Sequence, residues 1–291
     1  MKTLTRWLVR ILGGIVVLLV VALGVIYVLS ERAMGAKYPF HEVALAPPTD
    51  SASLARGEHL ARLSCYGCHG DSLRGRVMFD VPGVARLVAP NAMEKLANYT
   101  DAEFAGFMRY GVRKDGSSVF VMPPGGFWHM SDADLSALIA YVRRQPTAAT
   151  PTLPARSFGP LGRMGVAMGQ FPNAFQERDT TGERIGADPA YLTTRQGEYF
   201  ARMICTGCHG SRLTGDPQTP SPSIALAAGY SLPQLTTLLR TGTPRDPATK
   251  LTLMAEVAKS DLHLLTDAEI AAVHGYLASL PLSGVAGIKG K

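Results

Sequence analysis

The pattern Cys-x-x-Cys-His occurs twice, as Cys65-Tyr66-Gly67-Cys68-His69 and Cys205-Thr206-Gly207-Cys208-His209, and it uses all four cysteines of the chain. Two thiols one helical turn apart can add across the two vinyl groups of one porphyrin, leaving the adjacent His beneath the iron as proximal ligand. Other uses of such cysteines fit less well. A thioredoxin-like redox pair does not call for a His after its second Cys. A four-thiolate zinc site needs its two pairs close in sequence, whereas here they lie 140 residues apart. Structural disulfides leave both His residues unexplained. The sequence therefore predicts two covalently bound haems c, one held by Cys65, Cys68 and His69 and the other by Cys205, Cys208 and His209.

The motifs sit in a longer internal repeat. Arg56-Gly57-Glu58-His59-Leu60-Ala61-Arg62 matches Gln196-Gly197-Glu198-Tyr199-Phe200-Ala201-Arg202, Tyr99 to Phe104 matches Tyr230 to Leu235, and Ser131 to Leu135 matches Thr266 to Ile270. Repeats of this length mean two copies of one domain rather than a solenoid. The repeated blocks read as helices. Thr100 with Glu103, Ser231 with Gln234, and Thr266 with Glu269 are capping boxes at the heads of apolar-periodic runs. Phe104, Phe107 and Met108, like Leu235, Leu238 and Leu239, form the i, i+3, i+4 stripe of an amphipathic helix, and Gly111 and Gly242 fall where C-caps belong. No run alternates convincingly as strands do, so the predicted class is all-α.

The same alignment selects the sixth iron ligands. Met78, Met93, Met108, Met122, Met130 and His129 follow the first motif, and Met254, His263 and His274 follow the second. Only Val121-Met122 and Leu253-Met254 coincide, each after a polar loop and before the last helix. Met122 and Met254 are the predicted thioether ligands; the other methionines read as core filling, the commoner use of that side chain.

Ile11 to Leu29 is a run of 19 residues without charge, which as a helix rises about 28 Å and matches the hydrocarbon core of a bilayer. Lys2, Arg6 and Arg10 precede it, so the positive-inside rule leaves the N-terminus in the cytoplasm and exports the rest. A cleaved signal peptide is the competing reading, with Ala33-Met34-Gly35 as the small-x-small site. Against it, the run exceeds a usual signal core, and Glu31 and Arg32 intervene. The expected location is the bacterial cytoplasmic (inner) membrane, single-pass, with the haem domains in the periplasm. The net charge of +6 is spread thinly along the chain, without the dense Lys/Arg stripe of a nucleic-acid binder.

These residues resemble class I cytochrome c domains, and more closely the multihaem cytochrome subunits of membrane-bound alcohol and aldehyde dehydrogenases. The likeness rests on Arg56-Gly57-Glu58, Cys65 to His69, Ala89-Pro90-Asn91, Tyr110-Gly111-Val112-Arg113 with Asp115-Gly116, Met122-Pro123, and Leu138 to Val142, and more loosely on the second repeat. Those subunits usually have three haem motifs and a C-terminal anchor, where this chain has two and an N-terminal one. The resemblance implies that Gly57 packs closely against Tyr141 and Gly197 against Tyr276. It also implies a proline carbonyl behind each proximal His. Pro82 and Pro222 each lie 13 residues after their His, whereas Pro90 matches the family's Pro-Asn pair, so the first domain leaves two candidates.

The expected organisation is a transmembrane anchor (1–29), a tether (30–50), a first cytochrome c domain (51–147), a linker (148–189), a second cytochrome c domain (190–282) and a tail (283–291). Within the linker, Thr147 to Pro160 reads as extended and 161–189 as an irregular surface crossing, Met164 and Met168 packing on a haem edge being the alternative. His/Met ligation closes both axial positions and suits one-electron transfer. The expected function is an electron carrier, not an enzyme, with redox proteins of the respiratory chain or a dehydrogenase as partners. The rival is a dihaem enzyme such as a peroxidase or thiosulfate dehydrogenase; His59, His129, His263 and His274 could serve one, but none has a partner in the other repeat.

Overall fold

The computed structural model describes residues 2–122, 124–146, 152–178, 184–187, 195–216 and 221–281. Pro123, the tail at 283–291 and parts of the linker lie outside the described residues.

Helix α1 (Lys2–Met34) carries the apolar run and is long and apolar enough to cross a membrane, a test that a signal sequence also passes. The next residues do not form a free tether. Tyr38 N–H donates to the Gly116 carbonyl at 2.8 Å and Val43 N–H to that of Ala102 at 3.0 Å. The Tyr38 ring stacks on Phe175 with centroids 3.9 Å apart.

The first repeat is built from α2 (Ser51–Ser64), α3 (Tyr66–His69), a hairpin of β1 (Arg76–Val81) and β2 (Ala85–Ala89), α4 (Ala92–Leu96), α5 (Asp101–Tyr110), α6 (Pro124–His129) and α7 (Asp132–Arg143). Helices α2 and α7 form its frame. A Cβ on Gly57 would collide with the Ala137 carbonyl and stand 2.9 Å from Tyr141 Cβ, so the bare glycine lets the two helices touch. Thr100 and Glu103 close a capping box on α5, and Gly111 ends that helix in the left-handed conformation at φ 66°.

The hairpin corrects the all-α reading, although the chain remains predominantly helical. Ala85, Leu87 and Ala89 point inward, Val77, Phe79 and Val81 outward, and a bulge interrupts the register between Val77 and Phe79. A third short strand, β3 (Ser157–Phe158), pairs with β2. Helix α8 (Pro160–Ala167) follows it and α9 (Ala174–Glu177) comes next, so part of the expected irregular crossing is helical.

The second repeat contains α10 (Gln196–Ile204), α11 (Thr206–His209), a small pair of β4 (Gly215–Asp216) and β5 (Ser221–Pro222), α12 (Leu232–Thr241), α13 (Leu253–Ser260) and α14 (Asp267–Ser279). Its geometry echoes the first. Gly197 meets Ala272 and Tyr276 as Gly57 meets Ala137 and Tyr141. Arg109 donates to the Met130 carbonyl and to Asp132, and Arg240 donates to the His263 carbonyl and to Asp267. Leu73 (φ 56°) and Leu213 (φ 60°) occupy the same left-handed turn after each motif.

The two repeats meet head to head. His59 donates through Nε2 to the Glu269 carboxylate at 2.9 Å, and Tyr199, at the position equivalent to His59, donates to Asp134, equivalent to Glu269, at 2.8 Å. Arg56 bridges both acids, at 2.8 Å from Asp134 and 3.1 Å from Glu269. The His59–Glu269 contact is thus returned by Tyr199–Asp134, whereas Arg56 stands opposite Gln196 in the repeat and adds a contact of its own.

Candidate functional site

Cys65 ends α2, and the single turn of α3 brings Cys68 and His69 round beside it. Hydrogen bonds from the Cys68 and His69 amides to the Cys65 carbonyl, at 3.2 and 2.8 Å, fix that turn. None of the four cysteines is joined in a disulfide. Burial pushes the Cys65 and Cys205 thiols up to about 12, the opposite of the lowered value that a thiol redox catalyst needs. Among the described residues no group of three or more His, Cys, Asp or Glu side chains is placed to hold a metal ion.

The structure decides between the two proline candidates. His69 Nδ1 donates to the Pro90 carbonyl at 2.8 Å, and His209 Nδ1 to the Pro222 carbonyl at 2.7 Å. Pro82 instead lies in the turn between β1 and β2. Burial lowers the His69 pKa more than the Pro90 hydrogen bond raises it, which favours the neutral ring. With Nδ1 carrying the proton, Nε2 presents its lone pair as a metal ligand does.

Cys65, Cys68, His69 and Met122 line one cavity of about 740 Å³, a volume in the range of cofactor sites. Its walls are largely apolar and include Leu73 and Leu87, Phe104 and Phe107, Leu138 and Val142. Half-buried thiols, a backbone-tethered neutral His and a thioether around an apolar hollow are the donor set and walls that haem c requires. Of the six candidate sixth ligands of the first repeat, the cavity brings in Met78, Met108 and Met122, and Met93, His129 and Met130 are not among its lining residues. Met122 stands on an irregular segment, and Val121 before it is held at φ 69°. A β-branched residue there costs on the order of 1–3 kcal/mol, so the surrounding fold dictates where Met122 points.

In the second repeat Cys205, Cys208 and His209 lie on the equivalent turn. Met254 occupies the first turn of α13 rather than a loop, half-buried against the same core as Cys205. His274 Nε2 is engaged by the Tyr230 carbonyl at 2.9 Å. His263 Nδ1 is buried without a hydrogen-bond partner among the described residues.

Sequence reasoning missed part of the first site. Thr152, Leu153, Pro154 and Arg156 of the linker line the cavity, and the Arg156 guanidinium lies 5.3 Å from the Phe120 ring centroid. Met164 and Met168 are exposed and are not among its lining residues. His59 does have a partner in the other repeat, but it is the Glu269 carboxylate.

Residues 54–146 match the family model for cytochrome c, so this part of the chain is a cytochrome c domain, a type that carries covalent haem c. The chain is 32% identical over 186 residues to the cytochrome c subunit of the quinone-type alcohol dehydrogenase of Gluconacetobacter polyoxogenes, covering 58% of this chain and 38% of that one. It is 25% identical over 276 residues to the fructose dehydrogenase cytochrome subunit of Gluconobacter japonicus, covering 81% and 54%. To a subunit of the nicotinate dehydrogenase of Pseudomonas putida it is 26% identical over 255 residues, covering 82% and 21%. The chain thus spans less than two thirds of the length of these relatives.

Proposed function

We propose that this chain is a membrane-anchored electron carrier with two haems c, one in each of two tandem cytochrome c domains at 51–147 and 190–282. It relays electrons on the periplasmic face between a quinol-oxidising complex or dehydrogenase and a terminal oxidase or soluble carrier. The observation that carries the second haem is the repeated proximal unit. His209 is tethered to Pro222 at 2.7 Å as His69 is to Pro90 at 2.8 Å. The same left-handed Leu and the same glycine-mediated helix contact accompany it.

Bound haem supplies a one-electron couple at each site. The protein's part is to keep that couple closed and dry. Cys65 with Cys68, and Cys205 with Cys208, would hold each haem covalently; His69 and His209 would give each iron an oriented ring nitrogen, and Met122 and Met254 a thioether sulfur. The relatives' names, all dehydrogenase subunits, favour a dehydrogenase as the electron source. A retained anchor is supported by α1, which runs unbroken through Ala33 and is gripped beyond the apolar run by Arg163, 2.7 Å from Glu31.

The test is the mass of the denatured chain purified from membranes. Two haems above the 31.1 kDa of the sequence, with the N-terminus intact, are expected. One haem would remove the second site, and a start near Ala36 would remove the anchor.

A further inference from the structure

The face of α8 that looks away from the first cytochrome domain is apolar and uncovered. Leu161, Met164 and Met168 follow one another at i, i+3 and i+7, a single stripe along the helix. They are 58%, 38% and 61% exposed, while Gly162 and Val166 are buried on the other side. The hairpin turn is bound to the start of this helix: Gly159 N–H donates to the Val84 carbonyl at 2.8 Å and Leu161 N–H to that of Gly83 at 3.0 Å. From that turn β1 adds three more outward apolar side chains, Val77, Phe79 and Val81.

The place of α8 along α1 identifies what meets this stripe. The Arg163 guanidinium sits 4.2 Å from the Tyr27 ring centroid and donates to Ser30 Oγ at 3.0 Å and to Glu31 at 2.7 Å. Ser30 is fully buried in this contact. Tyr27 lies two residues before the end of the uncharged run at Leu29 and Glu31 two residues after it. Helix α8 is therefore clamped at the level where α1 leaves the hydrocarbon, with a tyrosine and an arginine in the positions such side chains favour at a membrane surface. A soluble partner reaching the stripe would have to enter the headgroup layer.

We infer that α8, with the adjoining hairpin turn, is an in-plane membrane contact whose apolar stripe rests in the headgroup–acyl boundary of the bilayer that α1 crosses. The inference rests on the anchor reading above. An apolar stripe at that depth gains burial without needing anionic lipid. It also makes a second point of attachment for the first domain, because β2 walls the haem cavity and β3 leads directly into α8.

The experiment uses the full holoprotein in phosphatidylcholine vesicles containing a phosphatidylcholine with a photoactivatable group on its acyl chain, with labelled peptides mapped by mass spectrometry. Label on α1 and on the 157–171 peptide, with none on α12, is the expected result. Label on α1 alone overturns the inference and leaves the anchor standing; label on neither removes the anchor itself. The double variant Leu161→Gln, Met164→Gln should lose the label on 157–171 while α1 stays labelled and haem content is unchanged. Undiminished label in that variant would show that lipid reaches the segment without the stripe, and would also overturn it.

Discussion

Replacing Glu269 by Gln removes one charge from the interface between the repeats and almost nothing else. Glu269 is the third residue of α14, and its carboxylate closes the capping box on the Thr266 amide at 2.9 Å, a task that Gln also performs. Its side chain is 6% exposed. Burial pushes its pKa upward, but hydrogen bonds from His59 and the Thr266 amide, with the charges of His59 and Arg56, outweigh that and bring it down to about 2 from 4.5. A carboxylate held below its unfolded value stabilises the fold fully above pH 4.5, and that stabilisation is lost as pH falls through about 2.

The depression from 4.5 to about 2 corresponds to about 3 kcal/mol by linkage. Cutting one partner out of a buried ion pair costs about 3–5 kcal/mol, and retained hydrogen bonding by Gln moderates it. Glu269→Gln should therefore destabilise the holoprotein by about 2–3 kcal/mol at pH 7, read as the shift in urea unfolding of the second repeat by circular dichroism. The gap between wild type and variant should hold down to about pH 4.5 and close as pH approaches about 2, where the wild-type carboxylate takes up its proton. A gap below about 0.5 kcal/mol at pH 7, or one that does not change with pH, would refute the reasoning.

Met122→Ala should lower the potential of the first haem and remove its Met-to-iron absorption band while sparing the second, and Met254→Ala should do the reverse, as redox titration of each variant will show. Met108→Leu is the control: a volume-conserving core swap costing under about 1.5 kcal/mol and leaving both spectra unchanged. Gly197→Ala should destabilise the second repeat by at least about 1–3 kcal/mol and reduce its haem occupancy, because the new Cβ meets the Ala272 carbonyl; haem content per chain is the measurement. Asp261→Asn should raise both potentials, since this carboxylate lies against Gly67 and, after burial, adds to the raised pKa of the Cys68 thiol and, after burial and Asp216, to that of Cys208; a shift in one haem alone would refute its shared position.

Much of the helical frame was legible because its signals are local. The three capping boxes, the two left-handed C-cap glycines and the glycine-to-tyrosine helix contacts all stand where the sequence puts them. The hairpin was missed although Val77, Phe79 and Val81 alternate, because its outward face is the apolar one and a bulge breaks the period. The same hairpin explains why spacing misleads about the proline. His69 bonds a carbonyl 21 residues on and His209 one 13 residues on, and the longer loop of the first repeat carries β1 and β2 through that interval, so Pro82 keeps the spacing but not the place. Met254 begins a helix where Met122 does not because Ala255, rather than Pro123, follows it. The cavity residues Thr152, Leu153, Pro154 and Arg156 had no signal at all, since their position depends on the neighbouring pairing of β3 with β2.

The head-to-head interface bears on how two haems would work together. Gly67, inside the first motif, has no side chain where the Asp261 carboxylate lies; a Cβ there would be 2.5 Å from Oδ1. Across the interface Thr206, inside the second motif, meets Gly125, three residues beyond Met122, with its hydroxyl 3.3 Å from where a Cβ would be. Each motif turn thus touches a segment of the other repeat that follows the predicted methionine ligand. Interiors this closely packed transmit small displacements instead of absorbing them. For the relay proposed above, the attachment turn of the second repeat would lie against α6 of the first, which contacts both α10 and α11. The two sites are joined polar group to polar group as well, but unequally: Glu269 meets the ring nitrogen of His59, whereas Asp134 meets the hydroxyl of Tyr199. The halves are therefore alike in frame and distinct in electrostatics.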